Sequence, residues 1–234
     1  MPAAKFKLFH CPATRSARVK WLLHELVGGD FDIEIVSLLD AEQYGPDYLR
    51  INPNHCVPVL EISSTDGDFI RMVESGAMVV FLADMFPDKK LAPPSADPSP
   101  GRADYLQTIH FCCASIDMML WQIRIHEHIL ARHERDISTI ERYRKKFSSE
   151  VEPQLKRRLE LTGFASGSRF SAADCMIGHA VRWAKAYGMC SDAIFQDYLL
   201  RLSERPAYQS AFSDLHHYVR DIPQDSPVSG LFTG

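Results

Sequence analysis

The sequence lacks an excess of either charge, a long apolar run and any paired cysteine motif, and each absence removes a class of function. Twenty-six lysines and arginines stand against 30 aspartates and glutamates, a formal net charge of −4. A protein that neutralises a phosphate backbone carries a basic footprint, so no nucleic-acid partner is expected. No apolar run approaches the roughly 20 residues of a membrane span, and MPAAKFKLFH lacks the apolar core of an export signal, so no membrane partner is expected and the expected location is cytoplasmic. Six cysteines, Cys11, Cys56, Cys112, Cys113, Cys175 and Cys190, form no CxxC pair and have no histidine at zinc-finger distance. They read as reduced, mostly buried thiols, and no metal site is expected. His126, His128 and His133 stand two and five apart, spacings that face different sides of a helix. Internal repeats and low-complexity segments are absent.

What is there begins with hydrophobic periodicity. KFKLFH (Lys5–His10) alternates as a short strand. Cys11-Pro12-Ala13-Thr14 turns the chain. Over residues 15–26, Val19, Leu22, Leu23 and Leu26 recur at helical spacing, and Gly28-Gly29 stops that helix. Residues 31–36 alternate again, so strand, helix and strand predict a parallel pair. Residues 44–50 are short helix or irregular. Pro58 then opens a strand at Val59, SSTDGD turns, FIRMV returns, and a helix begins at Glu74-Ser75.

Composition divides the chain after Phe86. PDKKLAPPSADPSPG holds five of the fourteen prolines and reads as a linker with neither helix nor strand. Beyond it strand signals vanish. Helices are expected over 105–130, over 137–161 with a kink at Pro153, from Ser171 to about Tyr187, over 192–202 and over 206–218. Ser171 and Asp174 make a capping box with aspartate in place of glutamate. The proposed boundaries are 1–86 for a small α/β domain, 87–100 for the linker, 101–220 for a helical domain and 221–234 for a tail.

The candidate chemistry gathers in the first domain. A helix start carries free N–H donors and partial positive charge that suit a carboxylate, so Ser75 with the Glu74 carboxylate beside it would read an amino-acid head group. A cis Val57–Pro58 bond would turn the N–H and C=O of Val57 outward, where an extended peptide could pair with them. Thr14 stands at the N-cap of the first helix, where a hydroxyl and the helix dipole together favour an anion. Ser16 lies inside the first turn and more often bonds its own helix. Cys11 is either a low-pKa thiol or a buried small hydrophobe.

NPNHCVPVL followed by ESGAMVVFLADMFP resembles the glutathione-binding half of the cytosolic glutathione transferases. PATRSARVKWLLHEL is similar to that family's opening turn and helix, and FSAADCMIGHA to its helix-capping segment. The resemblance implies an α/β thioredoxin-like N-terminal domain plus an all-α C-terminal domain, a homodimer, and transfer of glutathione, as co-substrate, to a hydrophobic electrophile. In delta-like members a catalytic serine precedes a matching arginine at the distance of Thr14 from Arg18, and a glutathione-contacting histidine matches His55. The glutathione contacts implied are His55, Val57, Pro58, Glu74 and Ser75. Cys-Pro-Ala-Thr also resembles omega-class transferases and one-cysteine glutaredoxins, in which the cysteine forms a mixed disulfide with glutathione. Thr14, Cys11 and Ser16 thus stand as alternatives at the catalytic turn. A thiol transferase run by Cys11 and a non-catalytic binding module stand beside the transferase.

Overall fold

The computed structural model describes residues 4–64, 67–96 and 98–215. Of these, residues within 4–91 and 204–215 form one compact unit and residues within 92–203 a second. The tail expected at 221–234 and the end of the helix expected over 206–218 lie outside the described residues.

The first unit is built on a four-stranded sheet in the order β2-β1-β3-β4, with β1 (Lys5–His10), β2 (Asp32–Ile35), β3 (Val59–Ser63) and β4 (Phe69–Met72). β1 pairs parallel with β2 and antiparallel with β3, which pairs antiparallel with β4. Between them run α1 (Ser16–Val27) and α2 (Pro46–Ile51), and α3 (Ser75–Met85) follows. This is a thioredoxin-like arrangement. Successive side chains of a strand point to opposite faces, and β1 uses both. His10 turns toward α1, where it meets Ser16. Phe9 and the following Cys11 pack with Val36, Tyr48, Val57 and Val59 in a separate apolar cluster. That cluster ties the turn after β1 to the loop before β3.

The last described helix, α10 (Pro206–Phe212), belongs to this first unit, although its sequence position groups it with the helical domain. Aromatic packing explains the difference. Trp21 on α1 is fully buried and meets Tyr208 edge-on at 4.9 Å between centroids and Phe212 at 6.1 Å. Arg205 adds a two-pronged ion pair to Glu25 at 2.7 and 2.8 Å.

Helices are the regular elements of the second unit, which has no strand among its described residues. Its first helix runs from α4 (Pro100–Phe111) through a π turn (Cys112–Ile116) and α5 (Asp117–Arg124) to a second π turn (Ile125–Ile129). The linker expectation needs correction at both ends: Pro87–Lys89 forms a 3-10 turn, and α4 begins at Pro100 inside the proline-rich stretch. Proline is compatible with a first helical turn, whose N–H groups have no partner in the helix, and Ser99 Oγ caps α4 by accepting from Arg102 N at 3.1 Å. The expected kink at Pro153 takes the form of a π turn (Phe147–Val151) between α6 (Ile137–Lys146) and α7 (Glu152–Thr162). A proline removes one i to i−4 hydrogen bond and crowds the preceding turn. α8 (Ala172–Ala186) and α9 (Ala193–Ser203) complete the unit. Ile109, Cys112 and Met119 are buried in it, while Met118 is exposed.

The capping box at Ser171 is more than a local device. Asp174 receives Ser171 N at 2.8 Å, Ser171 Oγ at 3.1 Å, Ala165 N at 2.8 Å and the Tyr198 hydroxyl of α9 at 2.8 Å. Burial pushes this carboxyl upward, and the four donors oppose that push. Removing a buried acceptor leaves its donors unsatisfied at ~1–3 kcal/mol each. Asp174→Ala is therefore expected to cost at least about 3 kcal/mol, against about 1 kcal/mol for an ordinary cap. Urea denaturation followed by circular dichroism checks this.

Candidate functional site

The turn after β1 is a hydrogen-bonded knot of hydroxyls. Thr14 Oγ1 lies 2.8 Å from the Cys11 carbonyl and 2.8 Å from Ser16 Oγ, and it accepts the Ser16 N–H at 3.3 Å; the N-cap position expected at Thr14 is Arg15, one residue later. Ser16 Oγ reaches the Cys11 carbonyl at 3.0 Å and accepts the Cys11 N–H at 3.2 Å. Ala13 turns the chain with φ 61°. Thr14 is half-buried, whereas Cys11 and Ser16 are fully buried. Among the three candidates at the turn, Thr14 alone is not fully buried.

The loop before β3 is fastened from behind. The Val57–Pro58 bond is cis. The Cys56 carbonyl receives the Tyr48 hydroxyl at 2.7 Å and Asn52 Nδ2 at 2.8 Å. The Asn52 side chain also accepts Asn54 N at 3.0 Å, and its carbonyl takes His55 N at 3.0 Å. Sequence reading missed Asn52 and Tyr48; the signal for Asn52 was an asparagine starting a loop, the residue that most often bonds backbone two positions on. No hydrogen bond among the described residues takes up the Val57 N–H or C=O. His55 is exposed in the left-handed region at φ 45°, its ring 4.8 Å from that of Tyr44. Because the Asn52 side chain holds two points of the loop, the Cys56 carbonyl and the Asn54 N–H, Asn52→Ala is expected to weaken the pairing of a peptide with Val57 about tenfold. It should cost ~1–2 kcal/mol of stability as well, and calorimetry with thermal melting separates the two.

At the third corner Glu74 is exposed and sits at φ 71°, ψ 106°, directly before Ser75, the first residue of α3. A non-glycine residue held there stores of order 1–3 kcal/mol of strain, a cost typical of ligand clamps. Electrostatics links the corners at Cys56. The Cys56 thiol is raised above its ordinary range first by burial, with Arg15 at the start of α1 pulling it down and Glu74 pushing it up. Arg15 and Glu74 therefore both act on Cys56, which, with its Sγ 2.9 Å from the Asn54 carbonyl, stays a thiol at neutral pH. Among the described residues no group of three acidic, histidine or cysteine side chains is placed to hold a metal ion.

The first unit is thus thioredoxin-like, with a hydroxyl turn after β1, a cis-proline loop before β3 and an acidic residue directly before α3, and a helical unit follows it. A family model described as the glutathione S-transferase N-terminal domain matches residues 11–85. The glutathione S-transferase GstA of Escherichia coli O157:H7 is 27% identical over 213 residues, covering 88% of this chain and 97% of that protein. The disulfide-bond oxidoreductase YfcG of Escherichia coli K12 is 28% identical over 174 residues, 71% of this chain and 74% of that one. A GST-like protein of Streptococcus mutans is 39% identical, but over 57 residues that make up 21% of its length. A glutathione transferase family member from Pseudomonas fluorescens, crystallised with two glutathione bound, shares the fold at TM-score 0.77 and 21% identity, covering 88% of this chain and 92% of that one. Residues 11–85 thus match the glutathione S-transferase N-terminal domain, and the chain is similar along most of its length to a glutathione S-transferase.

Proposed function

We propose that the protein conjugates glutathione to a hydrophobic electrophile. The observation that supports it most is Thr14 itself, partly exposed just before α1 in a turn whose cysteine and serine are both buried. In this reading the N-terminus of α3 and the Ser75 hydroxyl hold the γ-glutamyl carboxylate, and the Glu74 carboxylate holds the ammonium group. Val57 pairs through its backbone with the cysteinyl unit, Pro58 shapes that rim, and His55 meets the glycine carboxylate. Thr14 donates to the thiolate. An ordinary thiol ionises near pH 8.5, and each unit of depression takes about 1.4 kcal/mol. One charge-assisted hydrogen bond together with a helix dipole supplies that order of energy.

The apolar residues Phe69, Ile70 and Val73, exposed on and after β4, support a homodimer that covers them. A cytoplasmic location fits cysteines kept as thiols. A second reading, a disulfide-bond oxidoreductase, is favoured by the name of the YfcG relative. Its version through Cys11 requires a buried thiol to reach a substrate sulfur.

The test pairs calorimetry of reduced glutathione with turnover of chlorodinitrobenzene and of hydroxyethyl disulfide by the wild-type protein and Cys11→Ala. Conjugation that survives Cys11→Ala is expected. Loss of all activity in that variant, with glutathione binding intact, would move the assignment to thiol exchange. No binding heat at all would leave a non-catalytic module.

A further inference from the structure

A second polar cluster of the first unit runs behind the turn. His10, fully buried at the end of β1, has Nδ1 2.6 Å from Ser16 Oγ and Nε2 3.0 Å from Asp214 Oδ2. Ser16 Oγ lies 2.8 Å from Thr14 Oγ1. Lys20 Nζ, on α1, reaches the same Asp214 oxygen at 2.6 Å. One file of side chains thus leads from the half-exposed Thr14 to a carboxylate that follows α10, 204 positions from His10 in the chain.

Counting hydrogens fixes its direction. Burial opposes ionisation of Asp214, but His10 and Lys20 together hold it down to about 2. It is a carboxylate at neutral pH and can only accept, so His10 Nε2 carries the hydrogen. Burial is the largest influence on His10 and pushes it below the ordinary imidazole range, with Asp214 opposing and Lys20 adding to the effect. The ring is therefore neutral, its Nδ1 is bare, and the Ser16 hydroxyl donates to it. With its one hydrogen committed there, Ser16 Oγ faces Thr14 as an acceptor. The Cys11 carbonyl competes for both hydroxyl hydrogens, at 2.8 Å from Thr14 Oγ1 and 3.0 Å from Ser16 Oγ. With the Thr14 hydrogen on Ser16 Oγ, the two hydroxyl donors point toward His10 Nδ1, and Thr14 keeps one lone pair beyond that taken by the Ser16 N–H.

From this alignment we infer that Thr14, Ser16 and His10 form a proton relay that deprotonates the glutathione thiol, with Asp214 as counter-charge to the imidazolium. The inference rests on the glutathione reading above. In the step, the S–H bond breaks and its proton forms an O–H bond with Thr14, the Thr14 proton passes to Ser16, and the Ser16 proton passes to His10 Nδ1. Sulfur keeps the electron pair as thiolate, and nothing is oxidised or reduced. Each hydrogen bond has then reversed, so His10 donates to Ser16, Ser16 to Thr14, and Thr14 to the thiolate. The relay thereby creates the donation that stabilises the anion, and imidazolium and thiolate titrate as a coupled pair. After the sulfur has reacted, the proton returns along the same file to the leaving group or to water. The order serine, histidine, aspartate is that of a hydrolase triad, but this serine is buried and passes a proton on.

The test reads the nitrogen chemical shifts of the His10 ring in the full-length protein, first with glutathione and then with S-methylglutathione, which has no thiol proton. Protonation of Nδ1 is expected with glutathione alone, in step with thiolate absorbance in the ultraviolet. Asp214→Asn is expected to lower the thiolate fraction and kcat about tenfold with KM for glutathione little changed, and Asp214→Glu to recover part of the loss. Thiolate that forms while His10 stays neutral would overturn the relay and leave Thr14 as a simple donor. Absence of thiolate in the wild-type complex would overturn both readings. A rise in KM alone in Asp214→Asn would make Asp214 a tether for residues 204–215 and overturn its part in the relay.

Discussion

Thr14→Val is expected to lower the conjugation rate by about 10²–10³, the usual loss when one donor to a developing or bound anion is removed, while glutathione affinity changes little. Valine keeps the shape and the methyl group of threonine and removes only the oxygen. That oxygen accepts the Ser16 N–H at the start of α1, so a loss of about 1 kcal/mol in stability accompanies the change. Two companion measurements make the result specific. Thr14→Ser, which keeps the hydroxyl, should retain most of the rate. In the valine variant the thiol of bound glutathione should return toward about 8.5, so its rate should climb with pH across the neutral range where that of the wild type is level. A valine variant with full activity and an unshifted profile would remove Thr14 from the mechanism.

Glu74→Gln carries the second large effect. Here the loss should fall on binding: truncating one member of a hydrogen-bonded charge pair costs about 2–5 kcal/mol, or roughly 30- to several thousand-fold in Kd. The backbone at this position adds a separable signature. At φ 71° a side chain is strained and glycine is not. Glu74→Gly should therefore abolish glutathione binding yet melt at or above the wild-type temperature, by ~1 kcal/mol of stability. A clamp residue that weakens the fold and strengthens the site gives that opposed pair of outcomes. A purely structural residue would lose both together.

Much of the first unit is legible in the sequence because its signals are local. The alternation of KFKLFH, the 3.6-residue recurrence of Val19, Leu22, Leu23 and Leu26, and the proline before Val59 give β1, α1 and the start of β3 without any distant contact. The hydroxyl of Thr14 just before α1 and the helix start at Ser75 are visible for the same reason. What escapes is set by residues far apart in the chain. Nothing in the surroundings of Asp214 announces that its carboxylate ends beside His10, or that Trp21 on α1 draws Tyr208 and Phe212 into the first unit. Asp174 reads as a cap worth one hydrogen bond pair, and the Ala165 and Tyr198 donors that make it a junction come from α9 and from the loop before α8. The start of α4 is misread for a different reason. Proline breaks a helix interior but suits its first turn, so Pro100 closes one segment by composition and opens the next by geometry.

The most direct measurement is a crystal structure of the protein soaked with reduced glutathione. The expected density places the sulfur about 3.3 Å from Thr14 Oγ1, the cysteinyl backbone against Val57, and the γ-glutamyl group at Glu74 and Ser75. A sulfur bonded to Cys11, or a tripeptide bound away from the loop at Val57, would contradict the assignment.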